Sequence, residues 1–167
     1  MGRWRPAEKP ASPYITHAGA SRLREELQYL WRKHRPEVVA ALTAAAAEGD
    51  RSENAEYIYR KKQLADIDRR IRYLSKRVEA MKIVDRAPTD TSIIRFGAWI
   101  TLDTSFEDRV DYRIVGVDET DAAKGYISID SPVARALLGK TVGDCVEVEL
   151  PECLTRFEVI AVCYSRT

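Results

Sequence analysis

The most constraining feature of this chain is an apolar series in its first half whose members alternate in spacing between three and four residues. The series consists of Leu64, Ile67, Ile71, Leu74, Val78 and Met81. This spacing is the seam of a coiled coil, and such a seam needs a second helix to cover it. An earlier stripe at helical spacing predicts that partner helix; its members are Leu23, Leu27, Leu30 and Trp31.

The two apolar series predict an antiparallel helical hairpin. We expect helices over about residues 17–47 and 54–83, the first of them capped by Thr16. At about 1.5 Å per residue each helix would be roughly 45 Å long. The segment between them begins with the helix-stopping Gly49 and continues with cap-forming residues. Pro36 lacks a backbone donor and should kink or re-phase the first helix.

The second half of the chain has a different residue pattern, in which short runs of β-branched residues are separated by Gly and Asp. Five strands are predicted, near residues 96–102, 112–117, 126–129, 145–150 and 157–164. We expect them to form one small antiparallel sheet. Ser131 followed by Pro132 predicts the N-cap and first turn of a short helix that runs through Leu138, stops at Gly139 and covers one sheet face.

These patterns predict an α+β chain with two folded parts. We expect a flexible tail over residues 1–13, a hairpin domain over 14–85 with an acidic tip at 48–56, a linker over 86–91 and a globular domain over 92–167.

The net charge of +1 hides two halves of opposite sign. Residues 1–85 hold 18 Lys+Arg against 12 Asp+Glu, a balance of +6, and residues 86–167 hold 9 against 14, a balance of −5. Near-neutrality argues against strong free-standing DNA binding. A basic first half still allows a nucleic-acid partner that is met inside another protein.

Several classes of protein and site are disfavoured. No run approaches the roughly 18 to 20 apolar residues of a membrane span, and the first residues lack the apolar core of a secretory signal. The three cysteines include no Cys-x-x-Cys pair, which argues against a disulfide framework or a thiolate zinc site. Neither His17 nor His34 has metal-ligand spacing, and no serine-hydrolase motif is present. We expect a soluble, cytoplasmic protein that acts as a monomer and has no membrane partner.

Four acids crowd the predicted tip of the hairpin with only Arg51 to offset them: Glu48, Asp50, Glu53 and Glu56. In one interpretation, Asp50 and Glu53 form a capping box at the start of the second helix. In the other, the stiff hairpin delivers carboxylates into the cavity of a partner to bind a divalent cation. Hard oxygen ligands without His or Cys suit Mg²⁺, and two carboxylates alone would hold it weakly, so the metal would be shared with the partner.

A dense series of cations follows the tip on the second helix: Arg60, Lys61, Lys62, Arg69, Arg70, Arg72, Lys76 and Arg77. These side chains could be the solvated flanks of a coiled coil. They could also track the phosphates of a nucleic acid, with the interleaved Tyr57, Tyr59 and Tyr73 stacking on bases.

Two strings of residues in this order resemble the bacterial Gre transcript-cleavage factors. The first is G-D-R-S-E-N-A-E-Y at residues 49–57, with R-P-E upstream at 35–37. The second is Y-I-S-I-D-S-P-V-A-R-A-L-L-G-K at residues 126–140, accompanied by F-G-A-W at 96–99 and V-G-D at 142–144. The L-W pair at 30–31, the D-R-S at 50–52 and the dense cationic series are similar to the GreB branch of that family.

The resemblance implies a coiled-coil hairpin followed by a globular domain of FKBP-like topology. It also implies a cofactor rather than an enzyme. Family members dock on RNA polymerase, push the hairpin through its secondary channel, and stimulate the polymerase's own cleavage of backtracked RNA whose extruded 3′ end blocks synthesis.

The resemblance also implies roles for particular residues. Asp50 and Glu53 would be the acids that help the polymerase hold the second Mg²⁺ and position the attacking water. The basic patch that faces the extruded RNA would consist of Lys61, Lys62, Arg69, Arg70 and Arg72. The loop that contacts the channel rim on the largest polymerase subunit would consist of Asp130, Ser131 and Pro132.

Two alternatives stay open at this point. The chain could occupy the channel as a regulator without stimulating cleavage. It could also be a prolyl isomerase or chaperone, an alternative suggested only by the fold of the second domain.

Overall fold

The computed structural model describes residues 10–47, 54–104, 109–151 and 153–165. Its contacts divide the chain into two compact units. The helical unit comprises residues 20–81, and the globular unit combines the residues up to Gly19 with those from Lys82 onward. The sequence pattern divides the chain at 86–91 instead, because the pairing of two very short strands, described below, leaves no trace in periodicity.

The helical unit is built from two long helical segments, as the apolar series predict. The first consists of helix α1 (His17–Tyr29), a π-helical segment (Leu30–His34) and helix α2 (Arg35–Ala47). The second is helix α3 (Ala55–Ala80), about 39 Å long. No described helix combines the length and the apolar character that a bilayer-spanning segment requires.

The π-helical segment lies directly before Pro36, where the sequence predicts a kink or a change of phase. Pro36 cannot donate a backbone hydrogen bond, so the regular ladder is interrupted at this turn. The amide of Arg35 donates to the carbonyl of Leu30, five residues back. Such a wider turn rotates the side chains that follow it relative to those before it.

A small apolar core joins the two arms of the hairpin. Val38, Ile67 and Ile71 are buried, and three partly buried leucines pack against them: Leu27, Leu30 and Leu64. Trp31, predicted as a member of the first stripe, is instead 60% exposed. That prediction is wrong because Trp31 lies at the edge of the stripe, about 80° around the helix from Leu23.

Polar contacts along both sides of this core show that the arms are antiparallel. Arg35 Nε lies 2.8 Å from Asp68 Oδ1. Arg70 makes a two-pronged contact with Glu26, in which Nε and Nη2 donate to the two carboxylate oxygens at 2.7 and 2.8 Å. As residue numbers rise on one arm they fall on the other, as the hairpin requires.

The globular unit contains a two-stranded ladder that the sequence pattern did not predict. Strand β1 (Tyr14–Thr16) pairs in parallel with strand β2 (Lys82–Val84). The backbone next to it is tied as well, since the amide of Lys82 donates to the carbonyl of Pro13 at 2.8 Å. Three-residue strands are too short to show alternation, and their partners lie far apart in sequence.

The main sheet has five strands. They are β3 (Trp99–Thr104), β4 (Arg109–Val115), β5 (Tyr126–Ser128), β6 (Cys145–Glu149) and β7 (Leu154–Cys163), in the order β5-β4-β3-β7-β6. The expectation of an antiparallel sheet holds for every pair except β4 and β5, which are parallel. Their connection contains two 3₁₀ turns, Val117–Glu119 and Ala122–Lys124, which bring the chain back in the same direction.

The short helix predicted after Ser131 is confirmed as α4 (Pro132–Leu137). The Ser131 hydroxyl accepts from the amide of Ala134 at 3.2 Å, and Gly139 follows the helix with a φ of 82°, a conformation that favours glycine. Ala134 and Leu137 belong to the core of the sheet, so α4 covers one sheet face as expected. The other fully buried core residues include Ile94, Ile100, Leu102, Ile114 and Val159.

A buried carboxylate organises the first residues of the globular unit. Glu119, only 7% exposed, accepts from the amides of Thr16 and Gly116, each at 3.0 Å, and from the Thr16 hydroxyl. The Thr16 hydroxyl in turn caps α1, because it accepts from the amide of Gly19 at 3.1 Å. A Cβ atom at Gly19 would overlap the Glu119 carboxyl group, so this close approach requires glycine.

Replacing Glu119 by Ala is expected to lower the free energy of unfolding by about 3 kcal/mol. The substitution leaves the Thr16 and Gly116 amides without their acceptor, and an unsatisfied buried donor costs roughly 1–3 kcal/mol. Urea denaturation of the variant measures the loss, with Glu147→Ala, an exposed acid on β6, as the control. A loss no larger than that of the control would show that Glu119 does not organise this region.

Asp144 gives the globular unit a predictable pH dependence. The amide of Thr141 donates to its carboxylate at 2.8 Å, which with the Thr141 hydroxyl lowers the pKa of Asp144 below its ordinary value. A depressed pKa means that the folded state favours the carboxylate. The stability that the ionised Asp144 contributes is therefore present above the ordinary Asp pKa of about 3.9. It is lost as the pH falls through the lower pKa of Asp144 in the folded state.

Asp144→Asn is therefore expected to be less stable than the parent at pH 7, by an amount that shrinks as the pH falls below about 4. Urea denaturation of both proteins between pH 7 and pH 3 measures this difference. Asp85→Asn, which changes an exposed carboxylate of the same unit, serves as the control. A stability difference that stays constant over the whole range would contradict the assignment.

Candidate functional site

The predicted acidic tip lies mostly in a part of the chain that the structure does not describe. Asp50 and Glu53, the predicted metal-holding acids, both fall outside the described residues. The described residue next to them is Asn54, whose side-chain oxygen accepts from the amide of Tyr57 at 3.0 Å and caps α3. Its amide group also donates to the carbonyl of Ala45 on α2 at 2.8 Å, which ties the two arms together at this end.

The cap of α3 tests one of the two interpretations of the acids. The helix begins at Ala55 with Asn54 as its N-cap, so the interpretation of Asp50 as the cap of this helix is wrong. The sequence pattern favoured Asp50 because its spacing to Glu53 matches a capping box, but Asn is an equally good cap residue. Of the other tip acids, Glu56 is described and is paired with Arg60 at 2.7 Å. Glu48 falls outside the described residues.

No group of three or more His, Cys, Asp or Glu side chains that could hold a metal ion occurs within the described ranges. The three cysteines are free and exposed. His34 stacks on Tyr29 with ring centroids 5.8 Å apart.

The five predicted RNA-binding cations are all exposed on α3, but they differ in how they are held. Arg70 forms an ion pair with Glu26, and its guanidinium lies 5.4 Å from the ring centroid of Tyr73. Arg69 pairs with Asp66 on its own helix at 3.2 Å, where the arginine side chain is 73% exposed. Within the described part of the chain, no ion pair is recorded for Lys61, Lys62 or Arg72.

Four of these cations share one side of α3 with Lys76. At 3.6 residues per turn, they fall within an arc of about 100° that points away from Ile67 and Ile71. We call this set the cationic face; it consists of Lys61, Lys62, Arg69, Arg72 and Lys76. Arg70 points elsewhere, toward Glu26 on α1. The structure therefore separates one cation that braces the hairpin from five that are displayed to solvent.

The aromatic residues near the cationic series also differ in exposure. Tyr59 is 58% exposed and lies 5.5 Å from the guanidinium of Arg60, and Tyr73 is 41% exposed beside Arg70. Both rings are thus engaged with cations of the helix itself. Tyr57 is partly buried.

The predicted docking residues form a rigid turn at the start of α4. Ser131 caps the helix and Pro132 occupies its first turn. The Asp130 carboxylate accepts from the amide of Ser12 at 2.8 Å and lies 3.5 Å from Arg135. The backbone of the turn is fixed too, since the amide of Asp130 donates to the Ser128 hydroxyl at 3.0 Å. The sequence pattern did not predict the contact with Ser12, which falls in the segment expected to be a flexible tail.

A groove beside Trp31 is a further surface of the helical unit. It has a volume of about 450 Å³ and is lined by Leu27, Gln28, Trp31, Arg32 and Ser75. This groove was not predicted from the sequence, because Trp31 was expected to lie in the buried stripe of the first helix. A large aromatic residue followed by Arg32, Lys33 and His34 was the available signal, since a buried helix face rarely carries such a run of polar residues.

The comparisons with known proteins agree with the two-unit structure. A family model described as transcription elongation factor, N-terminal, matches residues 13–83, and one described as transcription elongation factor, GreA/GreB, C-term, matches residues 89–164.

Individual relatives extend the match over most of the chain. Transcription elongation factor GreB of Xanthomonas axonopodis pv. citri is 58% identical over 99% of both chains. The GreB protein of Haemophilus ducreyi is 53% identical over 92% of this chain and 95% of its own. The solved structure of GreA factor homolog 1 of Thermus thermophilus is 25% identical, covers 90% of this chain and 97% of its own, and superposes with a TM-score of 0.41. Since both family models match in order and relatives exceed 50% identity over nearly their full length, this chain belongs to the GreA/GreB family of transcription elongation factors.

Proposed function

We propose that this chain binds RNA polymerase, inserts its hairpin into the secondary channel and stimulates the polymerase's own cleavage of backtracked RNA. The observation that carries the proposal is the cationic face of α3, five exposed cations on the side of the helix away from the hairpin core. A helix of about 39 Å with positive charge along its outer side suits a narrow channel that holds an extruded RNA strand. In this role the chain is a cofactor that supplies groups to an active centre belonging to another protein.

The acids that would act at that centre are Asp50 and Glu53. Carboxylate oxygens are the hard ligands that Mg²⁺ prefers, so the donor set of the tip fits this ion. When bound, Mg²⁺ supplies charge stabilisation at phosphate oxygens and lowers the pKa of water. Two carboxylates leave most coordination positions to other donors, which is why we propose a metal held jointly with the polymerase. In that arrangement Asp50 would contribute an oxygen ligand, and Glu53 would help to position the metal or the attacking water.

The residues of the globular unit would provide the docking surface. We propose that Asp130, Ser131 and Pro132 contact the rim of the channel on the largest polymerase subunit. The turn that contains them is fixed by the Ser131 cap and by the Ser12 amide, so little conformational freedom remains to be lost on docking. We further propose that the chain works in the cytoplasm as a monomer.

Replacing Asp50 by Ala is expected to reduce stimulated cleavage at least about tenfold, or roughly 1.4 kcal/mol of barrier, because the tip loses an oxygen ligand. Asp50→Asn, which keeps the shape but removes the charge, should be similarly impaired. Cleavage is measured in backtracked elongation complexes of the cognate polymerase with Mg²⁺ and labelled RNA. Glu56→Gln is the matched control, because this neighbouring acid is already paired with Arg60.

Competition with the parent protein for polymerase shows whether each variant still docks. Full cleavage by Asp50→Ala would contradict the proposed role of the tip. Polymerase binding by the parent protein without any stimulated cleavage would instead identify a channel-binding regulator.

Neutralising individual cations of α3 should distinguish the cationic face, which we expect to bind RNA, from Arg70, which braces the hairpin. Lys62→Gln and Arg72→Gln are each expected to weaken capture of complexes with long extruded RNA and to make its salt dependence shallower by about 0.7 per lost phosphate contact. Arg70→Gln should leave the salt slope unchanged and lower the free energy of unfolding by at most about 1 kcal/mol, as for an exposed ion pair.

The measurement is the affinity of labelled protein for these complexes between 50 mM and 200 mM salt. If Arg70→Gln changed the salt dependence of the affinity by the same amount, Arg70 would also contact RNA. If Lys62→Gln and Arg72→Gln left the salt dependence unchanged, the cationic face would be only the solvated flank of the coiled coil.

A further inference from the structure

Trp31 presents an indole ring to solvent in the middle of the helical unit. It is 60% exposed, and it borders the groove formed with Leu27, Gln28 and Ser75. Exposing so large an apolar ring is unfavourable unless a ligand covers it, and Trp is enriched at binding surfaces for that reason. Trp31 lies in the π turn, a feature often found at functional sites.

The charge around the groove is positive. Arg32 lines it, Arg24 lies one turn before Gln28, and Arg72 lies one turn before Ser75. The exposed acids within a turn of the lining residues are Glu25 and Glu79. Asp68 is nearby as well, but its charge is matched by Arg35 at 2.8 Å. Three arginines against two unmatched acids leave a rim of net positive charge.

Arg72 also belongs to the cationic face, so the groove and that face are continuous on α3. A strand whose phosphates follow Lys62 and Arg69 toward Arg72 would reach the groove next. Gln28 and Ser75 add hydrogen-bonding groups beside the flat ring. An aromatic platform next to cations that follow a backbone is how proteins bind single-stranded nucleic acid without reading its sequence.

We propose that the groove at Trp31 is a base-stacking site for single-stranded RNA, in which a nucleobase of the extruded strand lies against the indole. This proposal rests on the proposed function, since it is there that the chain meets such a strand. Arg32 and Arg72 then hold the adjoining phosphates. The site would take any base, because every base has an aromatic face.

The experiment compares backtracked complexes whose extruded RNA is either two nucleotides or more than ten nucleotides long. Binding of labelled protein is measured separately from cleavage. Trp31→Ala should bind the long-RNA complexes about tenfold more weakly, since stacking is worth roughly 1–3 kcal/mol per base, and the short-RNA complexes unchanged. Trp31→Phe should retain most of the affinity. Tyr29→Ala removes an exposed aromatic residue at the end of α1, one that stacks on His34, and should have no effect.

Abasic nucleotides identify the group that Trp31 contacts. A scan of single abasic positions through the long extruded RNA should find at least one at which the parent protein loses about tenfold in affinity and Trp31→Ala loses nothing more. Equal weakening of short and long complexes by Trp31→Ala would overturn the proposal and assign the groove to a protein surface of the polymerase. The absence of any abasic effect, or of any effect of Trp31→Ala, would overturn it as well.

Failure of the proposed function has a different signature. If the parent protein binds the complexes but does not stimulate cleavage, the proposed function fails while the stacking test can still be read from binding. If the parent protein does not bind the complexes at all, both proposals fail.

Discussion

The packing of α3 against α2 is the interaction on which the helical unit depends. A two-helix hairpin has only one interface in which to bury apolar surface, so nearly all of its aliphatic residues must lie on one side of each helix. Ile67, Ile71 and Val38 do so, with leucines around them. The interface is narrow, and Arg35–Asp68 and Arg70–Glu26 extend it on its two sides. Side chains that face outward do not pack in this interface, so they can contact a ligand instead.

The arrangement of cations follows from this constraint. Side chains next to the seam can reach the opposite arm, so Arg70 and Arg35 find carboxylates there. Lys62 and Arg69 point away from that arm. A cation that braces the fold and a cation displayed to a ligand therefore differ in angular position on the helix rather than in residue type. Net charge alone, at +1, gives no indication of this division.

The parts of the fold that could be predicted from sequence are those specified by local chemistry. The seam of α3 repeats over six positions, and the cap of α4 needs only Ser131 and Pro132. The pairing of β1 with β2 could not be predicted, because it joins residues 68 positions apart through strands of three residues. The parallel pairing of β5 likewise depends on two 3₁₀ turns that carry no strong signal.

The candidate site was predictable to a similar degree. Local composition identified the cations of α3. It could not show that Arg70 braces the hairpin while the cationic face is exposed, because that depends on the position of Glu26 on the other arm. Trp31 was assigned to the buried stripe because its spacing is helical, but it lies at the edge of that stripe, where spacing alone does not distinguish a buried side chain from an exposed one. The segment before α3 contains several cap-forming residues, and the sequence alone does not show that Asn54 rather than Asp50 caps the helix, since both types of residue cap helices equally well.

The exclusion of Asp50 as the cap of α3 has a consequence for the chemistry of the tip. An acid that caps a helix has its oxygens occupied by backbone amides and is a poor ligand for anything else. Because Asn54 fills that position with a neutral amide, the structure leaves no helix-capping reason for an acid at Asp50. Glu56, the described member of this group of acids, is paired with Arg60 at 2.7 Å and lies in the first turn of α3, where a negative charge is favourable. The role that we propose for Asp50, an oxygen ligand of a metal shared with a partner, therefore does not compete with the capping of α3, which Asn54 provides.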